Sequence, residues 1–218
     1  MEIERLVVGL PNDSFGALEL LTQEQLKTYE ITRDKSQIER INRIKHEAGL
    51  APYLLALADK YIAQPGRDGL PMIFKAIASR DDIPQAKIKR FLDLASVVIA
   101  KPNTLPQPLS DDFLIGMTSV MAAHRSPENE AMLISILRLR EDPTGILLKL
   151  SAGEALAVCG STKVLPSMNE TSQWFAEFVR KTEGRKSSVD DANMFDRYIE
   201  QLKKRVNSAG GFFFPLNR

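Results

Sequence analysis

Two histidines, one cysteine and three Asp-Asp pairs are the side chains of this 218-residue chain whose types suit acid–base, nucleophilic or metal chemistry. His46 falls at the end of a charged helical pattern and His124 at the end of another, where an imidazolium complements the negative pole of a helix. The two are not at metal-ligand spacing. No H-E-x-x-H, G-x-S-x-G or G-x-x-x-x-G-K-[ST] occurs, and "EGRKSS" at 183–188 lacks the glycines and the preceding strand of a phosphate loop. Cys159 stands one residue before the glycine that closes an apolar helix, a place for a small buried side chain rather than a thiolate. Asp81-Asp82, Asp111-Asp112 and Asp190-Asp191 each fall in the first turn of a predicted helix, where carboxylates cap free amides and face the positive pole. No catalytic, cofactor-binding or metal-binding residue is assigned, and the chain is expected not to be an enzyme.

Binding chemistry has more material. Lys87, Lys89 and Arg90 form one basic cluster and Arg180, Lys181, Arg185 and Lys186 another, with Lys203, Lys204 and Arg205 as a third. On one concave face they would track a phosphate backbone, which makes nucleic acid the alternative partner. Solvated helix faces and C-terminal dipole partners account for the same residues, and no aromatics interleave with them as a single-strand groove requires. In "GGFFFPLNR" one helix or strand face cannot bury Phe212, Phe213 and Phe214 together, so they fold back as a cap or dock into a partner.

These side chains are positioned by helices. Hydrophobic residues make up 44% of the chain, enough for a sizeable core. The 29 basic residues balance 28 acidic ones, so no overall field draws the chain to nucleic acid or an anionic membrane. One cysteine excludes an intramolecular disulfide and fits a reducing compartment. The opening "MEIERLVVGLPNDS" is wrongly flanked for a secretory signal, and no apolar run reaches the roughly 18 residues of a spanning helix. A soluble, cytoplasmic protein is expected.

Period-two alternation is almost absent; "RLVVGL" near the start is the one short strand candidate. Thr22 and Gln25 form a capping box for a helix running toward Gly49, with Ile38, Ile41 and Ile44 as its stripe. Pro52, Pro71 and Pro84 mark further starts, and Ile88, Phe91, Leu92, Ala95 and Val98 or Ile99 share one face. The proline-rich "KPNTLPQPLS" reads as a linker. The expected organisation is all-α, with a helical unit over 1–100, a linker over 101–110, a second helical unit over 111–207 and an apolar tail over 208–218. Later starts are expected at Thr171, before the stripe Trp174, Phe175, Phe178 and Val179, and at Ser188, before the last helix.

Ser110, Ser126 and Asp142 are N-cap residues sixteen apart, which leaves about 13 residues per helix and a two-helix repeat of about 32. "DPTGILLKLSAGEALAVCG" at 142–160 resembles the second helix of a HEAT-type repeat. Asp142 and Pro143 match the opening, Leu148 and Lys149 stand in the Val-Arg place, Ala152 is a small residue, and Ala155, Leu156 and Gly160 match the close. It departs in one extra residue before Leu148, in Lys for Arg, and in Gly153 at mid-helix. The resemblance covers 126–160. It implies stacked antiparallel helix pairs, in a short solenoid or an irregular bundle, and an inner helix apolar nearly all round because it packs on both sides. It further implies a scaffold or adaptor that binds a protein partner through a helix-lined surface, without cofactor or membrane, for which Glu128, Glu130, Arg138 and Arg140 on the first helix of the pair are the candidates. HEAT-like DNA-repair proteins and a HEAT-like cofactor-processing lyase are the other precedents.

Overall fold

The computed structural model describes residues 43–64, 69–140 and 145–209, and among them there are helices and turns but no strand. The chain divides into two compact units, which meet between His124 and Arg125. Residues 101–110, expected to be a linker, stand inside the first unit: Pro102–Thr104 form a 3-10 turn packed on the helices before and after it. The calls on "RLVVGL", Thr22, Gln25, Ile38 and Ile41 lie outside the described residues.

The first unit holds α1 (Ala51–Ala63), α2 (Leu70–Ala78), α3 (Gln85–Ala100) and α4 (Leu109–Ala123). Pro52 and Pro71 lie in first turns, where no amide hydrogen bond is lost, and Pro84 is the cap residue of α3. Gly69 precedes α2 at φ 113°, a left-handed conformation that other residues resist. The expected stripe on α3 is buried from Ile88 through Phe91, Leu92 and Ala95 to Val98. Its ring meets the others at the centre: Phe74 lies edge-on to Phe91 at 5.2 Å and to Phe113 at 5.5 Å between centroids. Each such pair adds about 0.5–1.5 kcal/mol to the area it buries. Helices α2 and α4 approach closely because Gly116 faces Phe74; a β-carbon there would sit 2.9 Å from the ring.

The second unit holds α5 (Pro127–Arg138), α6 (Ile146–Cys159), a 3-10 turn at Thr162–Val164, α7 (Leu165–Lys181) and α8 (Lys186–Ala209). Ser126 caps α5 as expected, its hydroxyl accepting from the Asn129 amide at 3.1 Å. Three other starts are displaced. Ser110 is buried inside α4, which begins at Leu109. Thr171 is buried in the middle of α7, because Pro166 already sets the first turn there and the threonine hydroxyl donates back to the Ser167 carbonyl. Ser188 is buried in α8, where its hydroxyl meets that of Thr182 across the preceding turn. Asp142 and Pro143 lie outside the described residues, and α6 begins at Ile146.

Direction within this unit follows from its side-chain bonds. Glu130 accepts from Ser161, ahead of α7, while Arg138, two turns on, reaches Ser167 and Glu170 in α7. Contacts advance along both helices together, so α5 and α7 run parallel. Gly153 meets Phe195, and further along Arg205 reaches the Ala157 and Gly160 carbonyls, so α6 and α8 run parallel too. Thr182 with Ser188, and Ser172 with Asp196, make α7 and α8 an antiparallel pair. Two hairpins, α5–α6 and α7–α8, therefore lie with like helix against like.

Candidate interaction surface

The groups suited to chemistry are dispersed. His46 is exposed. His124 is the residue that ends α4, its amide donating to the Val120 carbonyl at 3.0 Å, and burial pulls its imidazole below the usual range. Neutral imidazole is thus favoured there, not the cation expected at a helix end. Burial pushes the Cys159 thiol up, with opposing pulls from Arg125 and Arg205, which makes it a poor thiolate. Asp111 and Asp112 occupy the first turn of α4 as expected. Asp81 and Asp82 instead stand in the turn before α3, and Asp190 and Asp191 in the second turn of α8. Among the described residues no three His, Cys, Asp or Glu side chains gather as metal ligands, and no helix is long and apolar enough to cross a membrane.

The basic clusters fall on different units. In the first, Lys87, Lys89 and Arg90 are exposed on α3; Lys89 pairs with Asp93 at 2.8 Å and Arg90 with Asp59 of α1 at 2.7 Å. In the second, Arg180 and Lys181 both pair with Glu177 one turn back, whose carboxyl they hold below the usual range, Lys181 foremost. Arg185 and Lys186 are exposed at the turn between α7 and α8. Of the third cluster, Lys203 pairs with Glu200, while Arg205 turns inward.

Of the four polar candidates on α5, Glu128 is exposed, its carboxyl held low by its own backbone amide and by the Ser126 hydroxyl. Glu130 accepts from the Ser161 amide at 2.6 Å and hydroxyl at 3.0 Å, an inward role. Arg138 bridges to Glu170 at 3.2 Å with both side chains mostly in water, and Arg140 is half-buried.

Three buried or half-buried cations have a different role, which sequence reasoning missed. Arg80 donates to the Ile44 and Glu47 carbonyls and grips Asp82 with two bonds of 2.7 Å, which hold the Asp82 carboxyl below the usual range. Lys149, 4% exposed, donates to the Leu137 carbonyl and lies 4.9 Å from the centre of the Trp174 ring. Arg205 donates to the Ala157 and Gly160 carbonyls, and burial, with the neighbouring Arg125, pulls its guanidinium below the usual range. Lys149 and Arg205 each supply donors to the end of a helix other than their own, and Arg80, past the end of α2, does so for the carbonyls of residues 44 and 47. One signal was legible: Lys149 is a charge inside an apolar run.

What remains open is a face shared by α6 and α8. At 100° per residue, Leu147, Ser151, Glu154 and Val158 form one strip on α6, the side of that helix not buried against its neighbours. Along α8, Asp191, Met194, Tyr198 and Arg205 occupy the edge turned toward α6, since Glu154 acts on Tyr198 and Arg205 reaches α6 carbonyls. Leu147 is 63% and Met194 40% exposed, the two large apolar side chains of this unit most open to water among the described residues. Burial and the neighbouring Asp190 push the Asp191 carboxyl up; burial and then Glu154 push the Tyr198 phenol up. The face combines apolar contact area with the carboxylates of Glu154 and Asp191, and Arg197 acts on Tyr198 beside them.

No protein-family model matches the chain, and neither a curated protein nor a solved structure matches it significantly.

Proposed function

We propose that the chain is a non-enzymatic scaffold or adaptor that binds a protein partner in the cytoplasm, and that its second unit is a short HEAT-like stack of helical hairpins. The observation that supports this is the parallel setting of α5 on α7 and of α6 on α8, in which each hairpin repeats the pose of the last. Stacks of that kind use one row of helices as an extended binding surface. Here the row α6–α8 carries Leu147 and Met194. The inference from architecture to binding is one of fold analogy.

The test is affinity capture with the full chain and with Leu147→Glu/Met194→Glu, before and after nuclease. A partner recovered after nuclease and lost with the double variant supports the reading. Recovery that disappears with nuclease, and that is unaffected by the double variant, overturns it in favour of nucleic acid at Lys87, Lys89 and Arg90 or at Arg185 and Lys186.

A further inference from the structure

The open side of α8 carries its charges in a definite order. At 100° per residue Asp190, Met194, Arg197 and Gln201 fall within about 60° of one another, opposite the buried Phe195, Ile199 and Leu202. Met194, 40% exposed, thus has an exposed acid one turn before it and an exposed base one turn after it. Among the described residues neither of these enters an ion pair: Asp190 acts on Asp191, and Arg197 on Tyr198. Asp191, Tyr198 and Glu154 stand half-buried on the α6 side of the stripe. Past Gln201 the stripe ends in Lys204, with Arg205 and Arg125 beside it.

The strip on α6 reads alike in both directions. Leu147 and Val158 are its apolar ends, and Ser151 and Glu154 its polar middle. Gly153 meets Phe195 and the helices run parallel, so Ser151 and Glu154 flank the level of Met194, and Leu147 lies level with the start of the acidic end.

Such a face fits a second copy of itself turned end for end. A two-fold axis that sets Met194 on Met194 brings position 197 of one copy against 191 of the other, so each Arg197 reaches the Asp190-Asp191 pair across the axis. The same axis sets Leu147 against Val158 and Ser151 beside Glu154. A parallel setting would place Asp190 on Asp190 and Arg197 on Arg197, like charge on like, which is costly at an interface.

We propose that the chain forms a two-fold homodimer through the α6–α8 face, with the two α8 helices antiparallel, Met194 at the axis and Arg197 paired with Asp190 and Asp191 of the other copy. The inference rests on the reading of that face as a protein-binding surface, and it names a second copy of the chain as what binds there. Phe212, Phe213 and Phe214 lie outside the described residues and have no part in it.

The test is sedimentation velocity of the full chain from micromolar to millimolar concentration. The parent chain is expected to pass from monomer to dimer. Asp190→Arg or Arg197→Asp alone is expected to weaken the dimer at least about tenfold, because each brings like charges together twice. Mixing the two variant chains is expected to restore a heterodimer, since the reversed charges then meet their opposites across the axis. Met194→Glu, which sets two carboxylates at the axis, should leave a monomer. All three positions are exposed, and unchanged circular-dichroism melting curves show that the variants fold. A parent chain that stays monomeric, a dimer indifferent to the single reversals, or a mixture that stays monomeric would each overturn the proposal. Capture decides the scaffold reading separately: a different protein held by a monomeric chain and lost with Leu147→Glu/Met194→Glu sinks the self-pairing and leaves the scaffold.

Discussion

The two units solve one problem, bringing helices close, with the same pair of residues and then diverge. Gly116 faces Phe74 in the first unit and Gly153 faces Phe195 in the second, a glycine against a ring in each case. Around Phe74 two further rings converge, so the first unit is organised about a point. Around Phe195 the contacts run on along parallel helices, the end of α5 receiving a donor from α6 and the end of α6 donors from α8. The first arrangement depends on one cluster; the second depends on contacts spread along its helices.

The largest way to break this contrast is Phe74→Ala, which should cost the first unit about 3–5 kcal/mol in urea denaturation, as for large aromatic truncations in a core. A loss below about 1 kcal/mol would remove the cluster from its central place. Replacing the buried cations comes next. Arg80→Met orphans the buried Ile44 carbonyl and the part-buried Glu47 carbonyl in the first unit, while the half-exposed Asp82 turns to water; Lys149→Met orphans one buried carbonyl in the second, at about 1–3 kcal/mol per buried group. Thermal melts should therefore rank Arg80→Met below Lys149→Met; the reverse order would give the second unit the greater dependence on its caps.

Gly153→Ala sharpens the comparison at finer scale. Its β-carbon would stand 2.5 Å from the Phe195 ring, which is fully buried and cannot swing aside. An overpacking cost of about 1–3 kcal/mol outweighs the propensity gain of about 1 kcal/mol over glycine. Phe195→Leu in the same chain should recover part of the loss, and a strictly additive double mutant would refute the contact.

The smallest effect is one of pH. Burial lowers the folded-state pKa of His124 below its unfolded value, so the unfolded chain binds the proton more readily. Its contribution is complete above the unfolded pKa of about 6.5 and falls as pH drops below that value. Both histidines of the chain lie in the first unit. Denaturation midpoints from pH 7.5 to 5.5 should fall less steeply in His124→Gln than in the parent chain; equal slopes would refute the assignment.

Periodicity made the helices legible, including the buried α3 stripe, because 3.6-residue patterning is local. Starts were legible where a proline fixed the first turn, as at Pro52 and Pro71, and where Ser126 met a free amide. They were misplaced at Thr171 and Ser188 because a hydroxyl beside a charged stretch reads as a cap, whereas each one bonds inside a helix to a group four or six residues away. The candidate surface was the least legible. Glu130 reads as an outward charge on α5 and is turned inward by Ser161, 31 residues on; that depends on how hairpins stack, which no local pattern contains. The mid-helix Gly153 read as a local cost and proved to be a seat for Phe195, 42 positions later.

The direction of the long-range caps sets an order in time. Lys149 completes the end of α5 from 12 residues downstream, but the end of α6 waits for Arg205, 45 to 48 residues further along the chain. As the polypeptide is synthesised from its amino end at about 5–20 residues per second, α6 spends seconds with bare terminal carbonyls before its donor exists. The second unit is closed from behind, by a helix made well after the end that it completes.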